Sequence, residues 1–187
     1  MNPKHQYIAE ALRHFHQKLH SDPNNRYNLY LVTIKTEYDW LRNIDYRNRR
    51  ESLEDLTRSL IHKIERHLFS NPSRPCNAHK RIDSRSVIES KSRFNNDTDH
   101  HAHSIFAVHQ DFSASFNSNL IERVLSKGTH TGTPLHAIIH SVDLKHIDTA
   151  HNLTHSWDKD LTRTLDYLFK HSSDQKNPDW MLPWSYF

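Results

Sequence analysis

Glycine is nearly absent from this 187-residue chain: there are two, Gly128 and Gly132, and both fall in one connection. That scarcity excludes a phosphate-binding glycine loop, which needs several glycines in a short turn. It also weighs against a cupin-like barrel with two histidines and a carboxylate, because such barrels need many glycine-rich turns. The single cysteine, Cys76, excludes an internal disulfide and reads as a bystander thiol. No apolar run approaches the roughly 20 residues of a membrane span. The N-terminal MNPKHQYIAE lacks a signal peptide's apolar core, so a cytoplasmic protein with no membrane partner is expected. Internal repeats and coiled-coil heptads are absent as well.

What the chain has in excess is histidine, 18 residues, beside a modest formal charge of +3. At 35% hydrophobic it is polar for a globular protein, yet its apolar residues gather into periodic runs, unlike those of a disordered chain. At this histidine frequency about two His-x-His triplets arise by chance. Two are present, His14-Phe15-His16 and His101-Ala102-His103, so their setting has to decide between them.

The first triplet falls in an amphipathic helix over residues 3 to 20, with Ile8, Ala11, Leu12, Phe15 and Leu19 at helical spacing. On a helix His14 and His16 point about 200° apart and read as exposed polar residues. A turn cluster, SDPNN (21 to 25), ends that helix. NLYLVTIKTEY (28 to 38) is a first strand, followed by a polar, basic loop. A helix over about 52 to 69 carries a core stripe of Leu53, Leu56, Leu60, Ile64 and Leu68, with Ser52 and Asp55 resembling a capping box. RSVIESK (85 to 91) and His101 to His109 read as two strands of an antiparallel hairpin around a loop centred near residue 95. A helix over 117 to 128 has an Asn/Ser cap and Gly128 at C′. LHAIIHSVDL (135 to 144) is a further strand, and residues 156 to 172 form the last helix. The expected architecture is α+β, a central antiparallel β-sheet with flanking helices in the order α-β-α-β-β-α-β-α.

The second triplet, in HAHSIFAV (101 to 108), therefore lies in a strand, where residues two apart share a face. His101 and His103 can then serve one metal ion. Hairpin arithmetic puts Glu89 opposite His101, and cross-strand neighbours share a face. Two imidazoles and a carboxylate form an open site for Mg2+, Mn2+ or a similar divalent ion. Asp97, Asp99, His109 and His140 are rival third ligands, and a pair of hydrogen-bonded strand histidines with no metal is the plainer alternative. On the last helix Leu161, Leu165 and Leu168 form the buried stripe. Tyr167 falls at its edge, with Lys170 on the same polar side. Taken alone, Tyr167 reads as a boundary tyrosine with its hydroxyl in water.

A strand, then His-hydrophobic-His on a central strand, then Tyr-x-x-Lys on a late helix resembles the HUH endonuclease superfamily, over residues 28 to 172. Its members include rolling-circle replication initiators, relaxases and single-tyrosine transposases, and the short chain is most similar to inovirus-type and related prophage or plasmid replication proteins. The first strand reads VTIK (32 to 35) where many such initiators carry an aromatic-Thr-Leu-Asn-like motif, and no helicase motif follows. The resemblance implies a nuclease domain over 26–175, between an N-terminal helix (1–25) and a tail (176–187). It implies nicking and joining of single-stranded DNA, with a divalent ion on His101, His103 and Glu89 polarising the scissile phosphate. Tyr167 would be the nucleophile, forming a 5′-phosphotyrosine and a free 3′-OH, with Lys170 beside it. Single-stranded DNA or an origin hairpin would be the substrate and a host helicase a partner. Arg47, Arg49, Arg50, Lys80, Arg81, Arg85 and Arg93 are the candidate backbone contacts, unless they form an ordinary solvated surface. Two other readings stay open: a transposase of the same superfamily, and a non-enzymatic nucleic-acid-binding regulator with histidine-rich metal binding.

Overall fold

A computed structural model describes residues 3–20, 26–45, 48–69, 74–93, 97–147 and 161–167. Lys170, Arg47 and the tail lie outside the described residues, and of Glu89, Arg50, Arg93, Asp97 and Asp99 the backbone alone is described. The helices are α1 (Pro3–His20), α2 (Tyr38–Arg42), α3 (Arg49–Leu68), α4 (Gln110–Ser113), α5 (Ser118–Lys127) and α6 (161–167). The strands are β1 (Tyr27–Thr36), β2 (Asp83–Arg93), β3 (Asp97–His109), β4 (Thr129–His130), β5 (Thr133–Pro134) and β6 (Ile139–Ile147).

Four strands form one antiparallel sheet in the order β2-β3-β1-β6. The two inner strands are the most apolar, because helices cover both faces of the sheet and leave them little polar surface to present. Even-numbered residues of β1 and β3, among them Val32, Ile34, Ala102, Phe106 and Val108, join Leu56, Leu60 and Ile64 of α3 and Leu120, Ile121 and Val124 of α5 in one core. Odd-numbered residues, Leu29, Ile105 and Ala107, form a second core with Ala11 and Phe15 of α1 and Leu161 and Leu165 of α6. The domain is thus α+β, with a four-stranded antiparallel sheet between helices, as expected from the pattern of periods.

The boundaries differ in instructive places. Helix α3 starts at Arg49, with Asn48 before it and no side-chain cap, so Ser52 and Asp55 are not its capping box. Its first turn carries no apolar residue, which hides it from periodicity. Tyr38, expected to end the first strand, and residues 39 to 42, expected to be loop, form α2 and bury Leu41. Residues 135 to 137 are not strand but a 3₁₀ turn that buries Leu135, and β6 begins only at Ile139. Helix α5 is capped by Asn117, whose Oδ1 accepts from the Leu120 amide at 3.1 Å. Gly128 ends it in an extended rather than left-handed conformation. Glycine is required there because a Cβ would meet Leu135 Cδ1 and Val124 O, each at 2.6 Å. Gly132 supplies the left-handed geometry instead, with φ +83° in the β4–β5 turn.

Candidate metal and tyrosine site

The hairpin register places Glu89 directly opposite His101, and Val87 opposite His103. On the other side of β3, Lys35 lies opposite His101 and Thr33 opposite His103. All six positions belong to the odd-numbered face, where the second core gives way to polar residues toward the start of β3. Helix α6 packs on this face through Leu161 and Leu165, both fully buried. Tyr167 follows two residues later, at the rim, and is 48% exposed.

These elements bring the two histidines and the tyrosine together. The His101 and His103 rings stand edge to face with centroids 6.1 Å apart. The His103 and Tyr167 rings do the same at 5.9 Å. His103 is 5% exposed, so its polar nitrogens need partners. The Thr33 hydroxyl meets its Nδ1 at 3.0 Å. Thr33 was not singled out in the sequence. Only the pairing of β1 with β3 reveals it, and VTIK carries no signal of that register.

Among the rival third ligands, His109 shares the face but lies six residues along β3, about 20 Å away at strand rise. It is buried against Tyr27 and Phe112, and its Nδ1 accepts from the Asp111 amide at 3.3 Å. Burial holds its imidazole below the ordinary histidine range, against the pull of Asp111. His140 falls in a bulge of β6, between Ser141 opposite Lys35 and Ile139 opposite Thr36, and its Nδ1 meets Glu37 Oε1 at 3.2 Å instead. Asp97 and Asp99 pair with Arg93 and Lys91, further out along the hairpin. Glu89 adjoins His101 across the ladder and His103 on the diagonal, which makes it the best-placed carboxylate by register. Among residues with described side chains, no group of three His, Cys, Asp or Glu could hold a metal ion. The donor chemistry nonetheless fits one, since two imidazoles and a register-matched carboxylate suit an open divalent site.

The proposed DNA contacts divide. Arg81 is the bidentate partner of Glu65, a fully buried carboxylate, with Nη2 to Oε2 at 3.0 Å. Arg85 is buried and bonds Asp83 and the Ser84 carbonyl. Lys80 meets Asp111 at 2.5 Å, and Arg49 Nε donates to the Ile44 carbonyl at 3.2 Å. Arg85 is therefore part of the protein's own packing, and the part-exposed Arg81 guanidinium is committed to Glu65. His14, expected to be simply exposed, meets Asp83 at 2.6 Å. Burial raises the Asp83 carboxyl, but the hydrogen bond from His14 and the charges of His14, Arg85 and Lys18 outweigh it and hold Asp83 below its ordinary value.

No family model matches the chain, and neither a curated protein nor a solved structure matches it. Among the described residues, no helix is long and apolar enough to cross a membrane. The functional reading rests on the side chains.

Proposed function

We propose that this protein nicks and rejoins single-stranded DNA in a metal-dependent reaction through a covalent tyrosine adduct, as an HUH-type replication initiator would. The observation that carries the reading is the meeting of His101, His103 and Tyr167 on one sheet face, from one strand and a helix far apart in sequence.

His101, His103 and Glu89 would hold the divalent ion, which when bound supplies charge neutralisation at the scissile phosphate. Thr33 orients His103. If Nε2 held the ion, Nδ1 would carry the ring proton and donate a hydrogen bond to Thr33 Oγ1. The Tyr167 phenol oxygen attacks phosphorus, its proton leaving to solvent, while the P–O3′ bond breaks and the 3′ oxygen takes up a proton. Reversal of the same step rejoins the strand, because the phosphotyrosine conserves the bond. Lys170, outside the described residues, would counter the phosphate charge. The partners of this reading are a single-stranded origin and, downstream, a host helicase.

The test is cleavage of end-labelled single-stranded DNA in Mn2+ and in EDTA. The reading expects cleavage in Mn2+ alone and its loss in His103→Ala. Cleavage that persists in EDTA, or in His103→Ala, contradicts it.

A further inference from the structure

A pocket of about 630 Å3 opens beside Tyr167, between α6 and the β1–β6 edge of the sheet. Leu31 and Ile147 give it an apolar floor, Lys145 and Arg163 line it as cations, and Tyr167 supplies an aromatic wall. Thr33 belongs to the same lining, and its hydroxyl touches His103. The pocket therefore adjoins the candidate site through Thr33 and Tyr167, yet uses neither metal-ligating histidine. Its volume falls within the range of about 300–1,000 Å3 common to small-ligand pockets. An apolar floor with an aromatic wall suits the face of a nucleobase, and exposed Lys and Arg side chains suit phosphate.

We propose that this pocket receives one nucleotide of the DNA strand: the one whose 5′-phosphate Tyr167 attacks and which stays on the tyrosine after the nick. Its base lies against Leu31 and Ile147, and Lys145 and Arg163 hold the next phosphate along the strand. The inference rests on the proposed nicking function and adds to it the seat of the strand. It leads the DNA off the edge of the sheet along β6, rather than across the arginines of β2.

The experiment measures binding without chemistry. Full-length Tyr167→Phe protein in EDTA is titrated with a fluorescein-labelled oligothymidylate of about 12 nucleotides, within the site sizes of single-strand binders. The comparison variants add Lys145→Ala with Arg163→Ala, or the charge-conserving Lys145→Arg with Arg163→Lys. The alanine pair is expected to weaken binding at least tenfold, and the salt slope to flatten by about 0.7 for the one phosphate that the two cations hold. The charge-conserving pair should keep the slope. Unchanged affinity and slope in the alanine pair overturns the inference, as does a parent protein that does not bind. Thymidine 5′-monophosphate displacing the oligonucleotide at equal concentration would also overturn it, since the pocket would then be a free-nucleotide site. Pocket-dependent binding by a protein that never nicks would sink the nicking function and, with it, the assignment of the seated nucleotide as the one Tyr167 attacks, leaving the pocket as a seat for single-stranded DNA alone.

Discussion

Thr33 is the residue whose role the structure adds to the histidine pair. Its hydroxyl meets His103 Nδ1 at 3.0 Å inside a nearly closed environment. Removing that oxygen while keeping the shape, as Thr33→Val does, leaves a buried ring nitrogen without this partner. Outer partners of metal-bound histidines commonly govern affinity, so Thr33→Val is expected to weaken Mn2+ binding about 10- to 100-fold. Titration with Mn2+ followed by electron paramagnetic resonance, with circular dichroism as the control for folding, checks this. Arg81 presents the opposite case, a residue that resembles a DNA contact and holds a buried carboxylate. Taking it away strands the Glu65 carboxylate, which is fully buried and otherwise held by the Ile82 amide at 2.9 Å. Breaking a buried pair from one side costs about 3–5 kcal/mol, and partial exposure of Arg81 puts Arg81→Ala at the lower end. Urea denaturation of the variant measures it.

Among the elements, the β2–β3 hairpin was the most legible. A turn centred near residue 95 sets Glu89 against His101, and the observed register agrees along the whole ladder. Two facts made this readable: alternation in a strand is strict, and a one-residue slip would have turned the histidines into the opposite core. The pairing partners of the hairpin were not readable. Nothing local tells β3 that β1 lies beside it, so Thr33, Lys35 and the pocket by β6 stayed hidden. Caps were uneven guides: Asn117 caps α5 as its residue type suggests, whereas Ser52 and Asp55 have the residue types of a cap and sit inside α3. The apolar stripe of α3 was plain in the periodicity and has a direct consequence. Leu60 is fully buried between α3 and the sheet, so Leu60→Ala is expected to cost about 2–5 kcal/mol, read as a lowered denaturation midpoint.

Across the whole molecule, acid should act in two windows. Burial disfavours the charged forms of His109 and His130 and lowers both from the usual 6.5, so their contribution is present above that value and fades as pH falls below it. Asp111, through the Lys80 hydrogen bond, and Asp83, through His14 and its neighbours against the effect of burial, are lowered from 3.8. Their contribution is present above about that value and is lost as pH falls through their folded-state values. Denaturation midpoints between pH 8 and pH 3 should therefore fall in two steps, and Asp83→Asn should shrink the lower one. Asp83 and His109 lie toward the end of β3 away from His101 and His103.

The proposed function turns on one contact, Tyr167 against His103, and on whether that tyrosine becomes covalently bound to DNA. The measurement is incubation of the protein with labelled single-stranded DNA and Mn2+, followed by a denaturing gel and peptide mapping of any protein-linked label. Label on the peptide containing Tyr167, absent from Tyr167→Phe and from His101→Ala, is the expected result. A protein–DNA adduct that forms equally in Tyr167→Phe, or no adduct on any origin-derived strand, would contradict it.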